Sequence, residues 1–406
     1  MLNGYRVLDL TDEKGFICGK ILGDLGADVI KIERPGGDPS RRIGPFYQNT
    51  PDPEKSLNWF AFNSSKKGIT LNLEDAEGQD LFKKLAEKAD FIIESFPVGY
   101  LDKLGLGYKD LKKQNKGLIM TSITPFGQTG PYKDYKASDI TISAMSGLIS
   151  IIGEPERPPI RMCYDQSYYL ASAEAAVGAL MALSFRHLSG EGQAVDVSIY
   201  ECAVRTNYRE PFRWEFEKQT TQRMGNIFAR GGVGRKQFWP CKDGFVTWML
   251  LPQNANPVRG FVEMMKEEGQ AGKWGDLNWD EVKLTKWSEE EIKELEKAIS
   301  DFMLTKTTKE LENGSLNRKL QLSPVNSIDF MVEDENLAYR NFWKEMDHPE
   351  LNTTLKYPRF SYVTSANGNE IRSRAPLIGE HNQDIFRKEL GLTVDDISSL
   401  KERSII

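Results

Sequence analysis

Histidine is scarce in this 406-residue chain, with only His187, His348 and His381. None of them falls in a loop after a first-half strand, and no G-x-S-x-G turn occurs, so a Ser-His-Asp hydrolase has no parts to assemble from. The four cysteines, Cys18, Cys163, Cys202 and Cys241, stand far apart without the close pairs of a zinc site, and read as buried free thiols. No metal site is therefore expected. The first strand is not followed by G-x-G-x-x-G, the fingerprint of dinucleotide binding, and neither NAD nor FAD is expected. An excess of one charge is also missing: 53 Lys and Arg face 59 Asp and Glu, for a net charge of -6, with the basic residues dispersed. That balance argues against a nucleic-acid partner. No apolar run approaches the roughly 20 residues of a membrane span, and Met1 to Arg6 leads into a strand pattern rather than a signal peptide. A cytoplasmic location is expected. Internal repeats and low-complexity segments are lacking as well. Carboxylates remain as the reactive groups to look for.

What is present is a chain that can bury a large core, with 39% hydrophobic residues and length for more than one domain. Arg6 to Leu10 reads as a strand, Phe16 to Leu25 as a helix and Asp28 to Ile32 as a second strand, a β-α-β opening. Strands at Ile69 to Leu73, Phe91 to Glu94 and Leu118 to Ile123, with helices from Asp75 and Asp139, continue an α/β alternation with a parallel sheet. Asp165 to Gln193 reads as one long helix stopped at Gly190, alanine-rich and packed on several sides. Asp165 or Ser167 is placed to cap it. The positive end of the helix dipole favours a carboxylate there, so Asp165 is either a cap or a nucleophile. The expected domains are a large one over 1–206, a smaller one over 207–355 that is richer in Trp, Lys and Glu, and a return to the large domain over 356–406.

Three loops are rich in turn residues and charge. Glu33 to Pro45 carries Arg41 and Arg42 after a strand, where α/β proteins bind ligands, and these arginines hold a phosphate or are simply solvated. Thr124 to Ser138 offers Lys133 and Lys136 to an anion. Ala229 to Lys236 contains Gly231, Gly232 and Gly234, a tight turn or a close approach to a ligand.

GYRVLDL at 4–10, LGDLGADVIKIERPGGDPSR at 22–41, GITLNL at 68–73, LDKLGLGY at 101–108, TSITPFGQTGP at 121–131, SDITISAMSGL at 138–148, RHLSGEGQAVDVSIYE at 186–201 and RAPLIGEHNQDIF at 374–386 together resemble the class III CoA-transferases, the CaiB/BaiF family. The resemblance covers nearly the whole chain. It implies a Rossmann-like α/β large domain, a smaller α+β domain, and two subunits threaded through each other like interlocked rings. It also implies acyl-CoA and carboxylic acid substrates, with CoA moved between acids through an aspartyl intermediate. On this resemblance Arg41, Lys103 and Lys136 contact CoA, Phe96 lies near the adenine, and Gly231 and Gly232 match the family's glycine loop.

The sequence departs from the family pattern in two places. The opening turn, TDEKGFICGK, stands where an A-G-P turn is usual and is one residue shorter. Counting back from SGEGQ, the family's catalytic aspartate position falls on Tyr168, three residues and about 4.5 Å of helix rise from Asp165. DEKG and Q-x-Y before the long helix are similar to the E-type subunits of succinyl-CoA:(R)-benzylsuccinate CoA-transferases of anaerobic toluene degradation, whose F-type sister chain carries the aspartate. The chain is then expected to be a silent partner in a heteromer; the alternative is an active homodimer using Asp165. An acyl-CoA racemase is a third reading, with Ser138 standing where that activity has histidine.

Overall fold

The computed structural model describes residues 1–230, 233–251, 253–365 and 369–406. Its contacts divide the chain into two units, one of residues 1–150, 161–221 and 338–406, the other of residues 151–160 and 222–337. The first unit is built on a six-stranded sheet of β1 (Arg6–Leu10), β2 (Asp28–Glu33), β3 (Lys66–Thr70), β4 (Phe91–Glu94), β5 (Ile119–Thr124) and β6 (Ala194–Ser198). All pairs are parallel, in the order β3-β2-β1-β4-β5-β6, the doubly wound arrangement of two β-α-β halves. The order reverses between β1 and β4, and the cleft beyond that point is where such sheets take ligands.

Alternation along the strands sends residues to two cores. Leu8, Ile30, Ile69, Ile92 and Met120 face one side, where α3 (Ala76–Ala86) supplies Leu81, Phe82 and Leu85. Val7, Val29, Phe91, Ile93 and Ile119 face the other, against α1 (Phe16–Asp24) and α7 (Gln166–Ser189). Shorter helices α2 (Leu57–Asn63), α4 (Tyr100–Lys103), α5 (Tyr108–Leu111) and α6 (Asp139–Met145) complete the crossovers, and α8 (Ile199–Arg205) and α9 (Arg209–Glu217) follow the sheet. The third strand begins three residues earlier than its apolar residues indicate, because Lys66 is buried and the pattern of hydrophobics does not mark it.

Lys66 belongs to a buried charged cluster beneath the cleft. Its ammonium lies 2.8 Å from Asp9 Oδ2 and also donates to Asn63 Oδ1 and the Phe16 carbonyl. Lys31 sits opposite Asp9 in strand register and donates to the Thr11 carbonyl. Asp9, Lys31 and Lys66 are all within 2% of full burial. Burial opposes ionisation of Asp9 most strongly, yet Lys66 and Lys31 together hold its carboxyl below the usual range. Gly19 of α1 makes room for this cluster, since a Cβ there would fall 2.2 Å from Asp9 Oδ2.

The long helix differs from expectation in one respect. Ala171, Ala175, Ala179 and Ala182 are buried, but Val177, Met181, Phe185 and Leu188 are 50–89% exposed at helical spacing, so α7 packs on one side and leaves an apolar stripe open. It is 24 residues long and apolar enough, by length and composition, to cross a membrane, a property the sequence reading did not credit to it; 44% of its most apolar window is buried in the protein.

The second unit has its own core of Trp239, Trp248, Phe261 and Phe302. Within it β7 (Ile227–Arg230) and β8 (Val233–Lys236) form an antiparallel pair, and β9 (Phe238–Pro240), β10 (Phe245–Thr247) and β11 (Ser323–Pro324) a three-stranded antiparallel sheet. It also contains an amphipathic helix at Glu289–Met303, whose start is closed by a Ser288–Glu291 capping box.

Candidate active site

A cavity of about 660 Å³ opens at the carboxyl ends of β1, β2, β4 and β5. The turn after β1 forms one wall. Asp9 Oδ1 accepts from both the backbone amide and the hydroxyl of Thr11, which folds the chain over so that Asp12 and Lys14 reach the cavity. Asp12 pairs with Lys14 and accepts from the Ser95 hydroxyl, while Ser172 Oγ on α7 donates to the Lys14 carbonyl at 2.8 Å. The opening turn is thereby tied both to the loop after β4 and to the long helix.

The loop after β4 supplies Phe96, whose ring lies 4.6 Å from that of Tyr100. Glu94 Oε2 accepts from the Phe96 amide at 2.7 Å and so fixes the turn. This carboxyl is 5% exposed, and burial raises it to about 7; the Ser122 hydroxyl and the Phe96 amide oppose the shift, while the charges of Asp12 and Asp102 reinforce it. The loop after β5 adds Lys133, Tyr135 and Lys136, with Tyr135 stacked on Tyr132 at 5.0 Å.

The residues singled out from sequence fare differently. Phe96 and Lys136 line the cavity together. Arg41 does not: it is wholly buried, its guanidinium forked onto Glu33 at 2.6 and 2.8 Å, bonded to Glu54 and the Pro376 carbonyl, and stacked 3.8 Å over Trp59. Its guanidinium is committed to those partners in this structure, where it holds the loop after β2. Lys103 is exposed at the end of α4 and is not among the lining residues. Gly231 and Gly232 lie outside the described residues.

Asp165 stands at the N-cap of α7, but its side chain makes no capping bond. It turns instead to Arg161 Nη2 at 2.5 Å, and both side chains are more than two-fifths exposed. Burial and then the charge of Asp139 raise its pKa, against the pull of Arg161. Capping passes to Asp139 of α6, which accepts from the amide and the hydroxyl of Ser167. Tyr168 is 7% exposed, and its phenol is pushed up by burial and by Glu13, Asp165, Asp12 and Asp139, so it stays neutral. Neither Asp165 nor Tyr168 is among the residues lining the cavity.

Sequence reasoning missed Glu94, Asp139 and Arg161. A carboxylate closing a buried strand, FIIE, was the available signal for Glu94. Asp139 and Arg161 meet only through the fold, 22 residues apart.

Residues 2–382 match the model of CoA-transferase family III. The chain belongs to that family. Among family III relatives, it is 32% identical to succinyl-CoA:(R)-benzylsuccinate CoA-transferase subunit BbsE of Thauera aromatica, over 98% of this chain and 96% of that one. It is 33% identical to succinyl-CoA–D-citramalate CoA-transferase of Chloroflexus aurantiacus, over 100% of this chain and 98% of the relative. A crystal structure of a CaiB/BaiF family protein from Brucella suis superposes with a TM-score of 0.82 at 25% identity, covering 95% of this chain and 98% of that one. Family III membership makes the chain a CoA-transferase that acts on CoA thioesters and acids, as its motifs imply.

Proposed function

We propose that this chain is the non-catalytic subunit of an enzyme that moves CoA from succinyl-CoA to a dicarboxylic acid, with (R)-benzylsuccinate the favoured acceptor, in anaerobic toluene degradation. A sister chain bearing the aspartate completes it. The observation that carries the reading is Tyr168: a buried neutral phenol stands where the family's aspartate is expected, while the nearby Asp165 is turned onto Arg161. Succinyl-CoA appears in the names of both curated relatives, and BbsE is itself a subunit, which supports the donor and the heteromer. Within the cavity Lys133 and Lys136 would take CoA phosphates, and the Phe96–Tyr100 pair would take the adenine ring.

The exposure of Asp165 favours a second reading, in which it is the nucleophile of an active homodimer. Peptide mass after brief incubation with succinyl-CoA separates the two. A silent subunit carries no CoA-sized adduct on Asp165, and Asp165→Asn leaves the activity of the mixed subunits within about twofold, whereas loss of a nucleophile lowers it by about a thousandfold or more. An adduct on Asp165 of this chain alone refutes the silent reading.

The interlocked partner is supported by the stripe of Val177, Met181, Phe185 and Leu188 on α7, since apolar residues so spaced on an open helix face are suited to a second chain. Met181→Glu should shift the sedimenting species toward monomer by about tenfold or more in dissociation constant. An unchanged distribution would remove α7 from the interface.

A further inference from the structure

We propose that Lys14 is a specificity residue that receives the free carboxylate at the far end of a dicarboxylic acyl group. This rests on the CoA-thioester reading of the cavity. Among the described residues, four cations line that cavity, Lys14, Arg34, Lys133 and Lys136, and they fall into two sets. Arg34, Lys133 and Lys136 are exposed on loops after β2 and β5. The Lys14 side chain is only 18% exposed and stands on the turn after β1, at the inner wall.

The backbone of Lys14 is fixed by Ser172 Oγ, one helical turn along α7 from Tyr168, while its ammonium is held in the cavity wall beside Asp12. The exposed cations are placed for the diphosphate and 3′-phosphate of CoA. The inner one is left for an anion that enters with the acyl group.

Lys14 is able to do this without breaking its present contact. Asp12 is its carboxylate partner, and an ammonium has three N–H donors, so two remain for an incoming carboxylate. Asp12 is itself held by the Ser95 hydroxyl, the amide of Lys14 and its own amide's bond to Ser95, so it stays in place while the lysine head shares its charge. A monocarboxylic acyl group would leave those donors unmatched, which is a basis for selecting against it.

Two unreactive thioethers test the idea: S-(3-carboxypropyl)-CoA, which carries the distal carboxylate, and S-butyl-CoA, which does not. Calorimetric titration of the full chain, alone and with its sister chain, should show the first binding at least about tenfold tighter, the scale of a hydrogen-bonded charge pair. Lys14→Met should erase that preference while S-butyl-CoA affinity stays the same, and Lys14→Arg should restore it. If Lys14→Met binds neither thioether, Asp12→Asn decides, because freeing the ammonium should enlarge the preference. A preference that survives Lys14→Met, or that Asp12→Asn fails to enlarge in that case, overturns the assignment. Wild-type protein that binds both thioethers equally overturns it too, with the CoA reading intact; protein that binds neither overturns both.

Discussion

Replacing Asp9 by alanine should destabilise the protein by about 3–5 kcal/mol, the scale for stranding a buried charge whose partner is removed. Two ammonium groups, Lys31 and Lys66, depend on this one carboxylate, and none of the three reaches solvent. Lys66 is already depressed, by burial first and against the pull of Asp9. Without Asp9 it should fall further, so the folded state would hold fewer protons than the unfolded chain. Stability of the variant then rises with pH and is lost as pH falls through the lowered lysine pKa. Urea unfolding at pH 6 and pH 9 checks both parts, and a variant equally stable at the two pH values would contradict this account. Thr11 loses its anchor as well, so the turn bearing Asp12 and Lys14 should loosen and ligand affinity should drop with stability.

The second large effect has the opposite sign. Glu94 rises from 4.5 to about 7 on folding, a difference worth about 3 kcal/mol at roughly 1.4 kcal/mol per pKa unit. Since the folded value is the higher one, its contribution is fully present below about pH 4.5 and is lost as pH rises through about 7. Glu94→Gln keeps the acceptor for the Phe96 amide and removes the titration. At pH 8 the variant should be more stable than the parent by up to about 3 kcal/mol, with the gap closing near pH 4.5. A stability difference that does not change with pH would mean that the carboxyl is solvated at neutral pH.

The parallel sheet and its strand ends were legible because buried strands read as short apolar runs between turns, as in RVLDL and FIIE. The charged cluster was not legible. Lys31 and Lys66 look like surface residues until three strands bring them round Asp9, and period-two reasoning does not score a buried lysine. At the site, Lys136 could be found because it lies in a loop after a strand and Phe96 through the family resemblance, whereas Arg41 also follows a strand and is occupied by Glu33 and Glu54. Sequence gives the position of an arginine but not its partners. The same limit applies to Asp165, whose place at the helix start was evident while its turn toward Arg161 depends on a loop with no regular pattern.

The long helix has a mechanical consequence. One side carries Ser172, which grips the Lys14 carbonyl, and the other side carries the open stripe from Val177 to Leu188. A rigid rod gripped on one surface transmits displacement imposed on the other. Any body that docks on the stripe and tilts α7 moves the Lys14 turn with it, and by reciprocity a ligand that fixes this turn alters the grip on that body by the same factor. Subunit concentration and acyl-CoA affinity would then be two readings of one equilibrium.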